Sequence, residues 1–143
     1  MILLDSTVLV HAFRNDAPRH EPMQAWLNMR LRAEPVVGLA ELALAGLVRI
    51  VTHPRVFAQP SSLEEVVQFT DFVRGRPNAV IVQPGRNHWG IFQRLCEQGN
   101  ARGNLVTSAY LAALAIESGS EWMTTDPGFA RFPGLQWRDP LKS

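Results

Sequence analysis

Two aspartates close apolar runs in this chain, and each stands beside hydroxyl residues. Asp5 ends Met1-Ile-Leu-Leu4 and is followed by Ser6 and Thr7; Asp126 ends Glu121-Trp-Met-Thr-Thr125. A third carboxylate, Glu41, lies among Leu39, Ala40, Leu42, Ala43, Leu44 and Ala45. An apolar run ending in an acid reads as a buried strand that delivers the carboxylate to the edge of a sheet. In open α/β folds the crevice beyond the carboxyl ends of the strands is where ligands bind. Carboxylates meeting there with the hydroxyls of Thr7, Thr124 and Thr125 suit a hard divalent cation, Mg2+ or Mn2+, which takes oxygen ligands along with waters and a phosphate. Such an ion generates a hydroxide and stabilises charge on a phosphoryl group. Glu41 has a second reading of equal weight, because a carboxylate in the first turn of a helix is favoured by the helix dipole without any ligand.

The elements that must position these acids follow from periodicity and turn residues. After the first strand, Thr7 to Arg14 forms a short helix ended by Asn15-Asp16. Pro18 suits a helix start, and Met23, Trp26, Leu27 and Leu31 fall on one face of that helix. Pro35-Val-Val-Gly38 is a short strand, and Leu39 to Val51 continues as a helix ending before His53-Pro54. Ser61 and Ser62, three residues before Glu64 and Glu65, make a double capping-box pattern. The helix that follows turns Leu63, Val66, Val67, Thr70 and Val73 inward and stops at Gly75. Ala79-Val-Ile-Val82 is the clearest internal strand. Trp89, Phe92, Leu95 and Cys96 make the next helical stripe. Asn104 caps the helix carrying Ala109, Ala112, Ala113 and Ile116, with Gly119 as its C-cap. Leu135-Gln-Trp137 is a last edge strand. Strands alternating with helices predict a parallel sheet of four or five strands with helices on both faces. No repeat or linker divides residues 1–143, so a single domain is expected.

With 143 residues, 46% of them hydrophobic, the chain has enough material for one core. No apolar run has the length of a membrane span, and Asp5 sits too early for a secretory signal peptide. A lone Cys96 excludes an internal disulfide, and His11, His20, His53 and His88 have no zinc spacing. A cytoplasmic setting is the expectation. The net charge of +1 gives no overall bias toward nucleic acid, yet every basic residue but Lys142 is Arg. Arginine suits bidentate phosphate contacts, though a GC-rich genome produces the same bias. Trp26, Trp89, Phe69 and Phe92 lie on apolar stripes, where core packing is the expected role.

The order Ile2-Leu-Leu-Asp5-Ser-Thr7, Glu41 in an apolar helix, Gly103-Asn-Leu-Val-Thr-Ser-Ala-Tyr-Leu-Ala-Ala-Leu-Ala115, and Thr124-Thr-Asp126 followed by Phe129-Ala-Arg-Phe-Pro133 resembles a PIN-domain ribonuclease. More narrowly, it resembles the VapC toxins of bacterial toxin–antitoxin pairs, over essentially the whole chain. The resemblance implies a three-layer α/β/α sandwich with a central, mostly parallel sheet that cuts RNA with Mg2+ or Mn2+. It also implies a homodimer silenced by a cognate VapB antitoxin. Residue by residue, Asp5 and Asp126 match the metal-binding acids, Glu41 matches the family's glutamate, and Thr7 matches the polar residue two after the first Asp. Thr125 joins Thr7 at the substrate. Arg14 and Arg102, with Arg86 and Arg94, are candidates to hold the RNA backbone, although solubilising surface charge is the stronger reading for each taken singly.

The pattern breaks at two places. The family places an Asp immediately before the Ala-x-Leu-Ala-Ala-Leu-Ala helix, where this chain has Ser108; many members carry a second Asp where this chain has Gly128. A hydroxyl at Ser108 can hold a water or touch an ion but brings no charge, so metal affinity falls. Three readings follow: an engineered inactive form, a natural enzyme working with Asp5, Glu41 and Asp126, or a non-catalytic module that binds RNA or a partner. Other enzyme classes fit less well. A phosphatase with an Asp5 nucleophile pairs it with a second Asp two residues on, where Thr7 stands. A nucleotide-binding module lacks its glycine-rich loop.

Overall fold

The computed structural model describes residues 1–142. Its frame is a five-stranded sheet in the order β3-β2-β1-β4-β5 with every pairing parallel. The strands are β1 (Ile2–Leu4), β2 (Val37–Leu39), β3 (Ala79–Ile81), β4 (Glu121–Met123) and β5 (Trp137–Arg138). Six α-helices connect them: α1 (Ser6–Phe13), α2 (His20–Ala33), α3 (Glu41–Val51), α4 (Leu63–Arg74), α5 (His88–Gln98) and α6 (Asn104–Ser118). A 3₁₀ turn, Pro127–Arg131, follows β4.

The strands are three residues long or shorter, yet their alternation is strict. Ile2 and Leu4 enter one core with Val37, Leu39 and Met123 against α1, α2, α3 and α4. Leu3 and Trp122 enter a second core with Ala109, Ala112 and Ala113 of α6 and with Leu95, Phe129 and Phe132. Successive side chains of a strand point to opposite faces, so a sheet buried on both sides needs apolar residues at every position. This is the sandwich that the sequence predicts: two helical layers on one parallel sheet.

The sheet also places the acids. From β1 the chain steps outward through β2 to β3, then returns to the other side of β1 for β4 and β5. The strand order therefore reverses beside β1, and the crevice at such a switch point is where open parallel sheets bind ligands. Asp5 and Asp126 follow the two strands that flank it.

Several local expectations shift. Pro35 and Val36 precede β2 rather than belonging to it, α3 starts at Glu41 rather than Leu39, and β5 lies two residues later than expected. Ser62 and Glu65 form a reciprocal capping box, while Ser61 instead receives an Arg14 N–H. Gly119 ends α6 in the left-handed region, at φ 67°. Asn104 is not a cap: Gly103 occupies that position, at φ 55°, and Asn104 becomes the first helical residue. On α4 Val66, Thr70 and Val73 are buried and Phe69 packs partly buried against the core, leaving Leu63 and Val67 exposed. Trp89 is 62% exposed rather than packed inside, because α5 buries His88 and Leu95 and turns Trp89 away from that line. Trp26 is buried as expected.

Candidate active site

Asp5 follows β1 directly, and its peptide N–H donates to Met123 O at 3.0 Å, continuing the ladder between β1 and β4. Its side chain then caps α1, with Oδ1 accepting from Ser6 N at 2.7 Å. Oδ2 accepts from the hydroxyl of Thr124 at 2.6 Å and from that of Thr7 at 3.1 Å. Thr124 Oγ1 in turn accepts from Asp126 N at 3.0 Å, and Thr7 Oγ1 accepts from Thr125 N at 3.0 Å. The two threonines thus tie the end of β1 to the turn after β4 and fix both acids relative to each other. Asp126 caps the 3₁₀ turn by accepting from Gly128 N at 2.8 Å.

Asp5 is only 5% exposed, and no cation pairs with it among the described residues. Burial pushes its carboxyl above the usual carboxylate range, against the three hydrogen bonds that draw it down, and the nearby Asp126 charge adds to the rise.

The two acids lie in a cleft of about 660 Å³. One wall is α3, through Leu42, Ala45, Gly46 and Arg49; the other is α6, through Asn104, Thr107, Ser108 and Leu111. Both sets run i, i+3, i+4, i+7, a single helical face each. The α3 wall comes close because of Gly46: a Cβ there would lie 2.5 Å from Ser6 Oγ, the hydroxyl that donates to Ala43 O at 2.6 Å.

The structure brings Asp5, Thr7, Ser108 and Asp126 together in this cleft. Thr125 contributes its backbone N–H to Thr7. Glu41 stands apart: its side chain is 60% exposed and pairs with Arg74 at 3.5 Å, over the groove between α3 and α4. One helical step of about 100° separates Leu42, which lines the cleft, from Glu41, which does not. The apolar neighbours that argue against a solvated Glu41 are themselves divided between core and surface, with Leu42 exposed. Arg14 is also outside the cleft, forked onto Asp16, bonded to Gln59 O and Ser61, and stacked over Phe57 at 4.1 Å. Arg102 is exposed before α6 and does not line the cleft. Three polar residues of the two helical walls have no place among the expected site residues: Arg49, Asn104 and Thr107. Their signal was the shared helical spacing with Leu42 and Ser108, which becomes informative only once the two helices are known to face each other.

As a ligand set the cleft is sparse. Among the described residues no three His, Cys, Asp or Glu side chains gather to hold a metal ion, since Ser108 and Gly128 supply no charge. Two carboxylates with hydroxyl and amide oxygens still fit a hard divalent ion of the Mg2+ kind, which keeps most of its waters and needs one or two protein carboxylates. A buried Asp5 without a cationic partner is the observation that favours such a fit.

A three-layer parallel sandwich with paired acids at its switch point defines the class: the chain belongs to the PIN-domain family, whose model, described as PIN domain, matches residues 2–135. Full-length relatives narrow this to its VapC branch. The chain is 38% identical over 141 residues to VapC ribonuclease Mb2897 of Mycobacterium bovis, covering 99% of this chain and 96% of that protein. It is 33% identical over 142 residues to Ribonuclease VapC31 of Mycobacterium tuberculosis, covering 99% of this chain and all of that one. Among solved structures, VapBC2 from Rickettsia felis bound to a DNA fragment from its promoter superposes with a TM-score of 0.70 at 19% identity, over 96% of this chain and 98% of that one.

Proposed function

We propose that this chain is an endoribonuclease toxin, dependent on Mg2+ or Mn2+ and held silent by a VapB-like antitoxin. The observation that carries the reading is the Asp5–Asp126 pair, locked by Thr7 and Thr124 at the floor of an open cleft. The relatives named VapC ribonuclease support the reaction class, and the VapBC complexes among similar folds support the kind of partner. Asp5 and Asp126 would hold the ion, which when bound supplies an activated water and offsets charge building on the phosphate. Thr7 and Thr124 occupy both lone pairs of Asp5 Oδ2 and Ser6 N one of Oδ1, so the remaining Oδ1 lone pair would be the one to hold the ion. Gly128 N holds Asp126 Oδ1 and leaves Oδ2 available. Ser108 makes only a long bond, 3.5 Å, to Asn104 O, so its hydroxyl is free to order a water beside the phosphate. A homodimer and a cytoplasmic site of action belong to this reading; no helix among the described residues is long and apolar enough to cross a membrane.

The sparse ligand set favours one second reading, a non-catalytic RNA- or partner-binding module on the same fold. A mixed RNA pool incubated with Mn2+ or Mg2+ separates the two, comparing the native chain, Ser108→Asp, Asp5→Asn and an EDTA control. Cleavage by the native chain that EDTA and Asp5→Asn abolish supports the enzyme. Cleavage by Ser108→Asp alone identifies a disabled form of it. RNA binding without cleavage by either supports the module.

A further inference from the structure

Among the described residues, Arg49 is the one basic residue lining the acidic cleft. Arg14, Arg19, Arg30, Arg74 and Arg138 are each tied to a carboxylate, whereas Arg49 pairs with none among the described residues. It stands at the α3 position one turn beyond Ala45 and Gly46. A helical side chain leans toward the N-terminus and covers the turn before its own Cα. Here that turn is made of the two smallest residues of the wall, and Gly46 leaves no room for a Cβ beside the Ser6 that follows Asp5. Arg49 thus lines the same cleft as Asp5, and the preceding turn of its wall offers only small side chains to cover. Facing it, α6 offers Asn104, Thr107 and Ser108, an amide and two hydroxyls without charge. A polyanion entering a cleft whose floor carries two carboxylates is favoured by a fixed cation beside them, and a guanidinium matches a phosphate with two parallel N–H donors.

We propose that Arg49 holds a backbone phosphate of the bound RNA, next to the phosphate presented to Asp5 and Asp126. The inference rests on the ribonuclease reading and adds to it a substrate-binding residue on α3. Arg49 takes the role that Arg14 and Arg102, both outside the cleft, do not fill. Ground-state contact with a flanking phosphate acts on binding, so its loss raises KM and leaves kcat nearly unchanged.

The test compares the native chain with Arg49→Gln, Arg49→Lys and, as a control at an arginine remote from the cleft, Arg32→Gln. Binding of a labelled single-stranded RNA of mixed sequence is measured by anisotropy in EDTA over a salt series, and cleavage of the same RNA is measured with Mn2+. Arg49→Gln is expected to make the slope of log K against log salt shallower by about 0.7, the loss of one phosphate contact on a single strand. It should also raise KM roughly tenfold or more, as for a lost charge-assisted hydrogen bond. Arg49→Lys keeps the slope, and Arg32→Gln changes neither quantity. If the native chain cuts while Arg49→Gln matches it in slope and KM, the role of Arg49 is overturned and the ribonuclease reading stands. If neither the native chain nor Ser108→Asp cuts, the ribonuclease reading falls and the slope alone decides. A shallower slope for Arg49→Gln then retains the phosphate contact, and an unchanged slope or absent binding removes it as well.

Discussion

Gly46→Ala tests how the α3 wall supports Asp5. In an ordinary exposed helix this change stabilises by about 1 kcal/mol, since alanine loses less backbone freedom than glycine. Here the new methyl would sit 2.5 Å from Ser6 Oγ. The cheapest relief is rotation of the Ser6 hydroxyl, which breaks its 2.6 Å bond to Ala43 O and leaves a buried hydroxyl without a partner. That costs about 1–3 kcal/mol. The variant should therefore range from neutral to about 2 kcal/mol less stable, the difference of these two terms. Ser6→Ala removes the obstructing oxygen while keeping the Ser6 N–H that bonds Asp5. In that background Gly46→Ala should recover its helix gain of about 1 kcal/mol. The quantity predicted is a coupling of about 1–3 kcal/mol between the two substitutions. Urea unfolding of the four chains measures it, with RNA cleavage read alongside. A coupling below about 0.5 kcal/mol, the level expected of independent sites, would refute the proposed wedge at Gly46.

The other predictions are more direct. Glu41→Gln should leave cleavage and metal dependence within about twofold of the native chain, because the side chain faces α4 and Arg74 rather than the cleft; a loss comparable to that of Asp5→Asn would show that the site recruits it. Thr124→Val keeps the shape but removes the hydroxyl that both donates to Asp5 and accepts from Asp126 N. It should cost about 2–4 kcal/mol in unfolding, two bonds with one to a carboxylate, and should reduce cleavage as well. Asp139 is buried in a two-pronged pair with Arg19 at 2.7 and 3.0 Å, and that partner holds its carboxyl below the usual carboxylate range. A depressed folded pKa contributes stability that is complete above the unfolded value of about 4 and is lost as pH falls through the folded one. Asp139→Asn should accordingly be less stable by about 2 kcal/mol at neutral pH, with the gap to the native chain closing below about pH 4 in thermal melts.

The floor of the cleft was legible in the sequence and its walls were not. Asp5 and Asp126 end short apolar strands, and a strand buried on both faces leaves little choice about where the next residue emerges. Thr7 and Thr124 follow from the same registers. Helices offer no such certainty, since which side of α3 meets the cleft depends on how far the helix is rotated when it packs. That rotation put Leu42 and Arg49 on the wall and Glu41 outside it. On the α5 stripe Leu95 is buried and Phe92 and Cys96 pack against the core as expected, but Trp89 was left on the surface for the same reason, with His88 buried beside it. Asn104 looked like a cap because Asn favours that position, but Gly103 adopts the positive φ the turn requires and displaces it by one residue into the helix. Ser108 was legible as a departure, and its place in the cleft gives that departure a physical meaning.

The central position of β1 also bears on when the site can exist during synthesis. Asp5 is made well before its partner Asp126, which follows 121 residues later. At bacterial and eukaryotic elongation rates that interval is roughly 6–24 s. Throughout it the edge of β1 that pairs with β4 in the finished sheet has no strand to meet, because β4 has not yet been made. The Thr124 hydroxyl that steadies Asp5 arrives with the same late segment. Asp5 and Asp126 can consequently be paired only once β4 and the turn after it have been made and have closed onto β1.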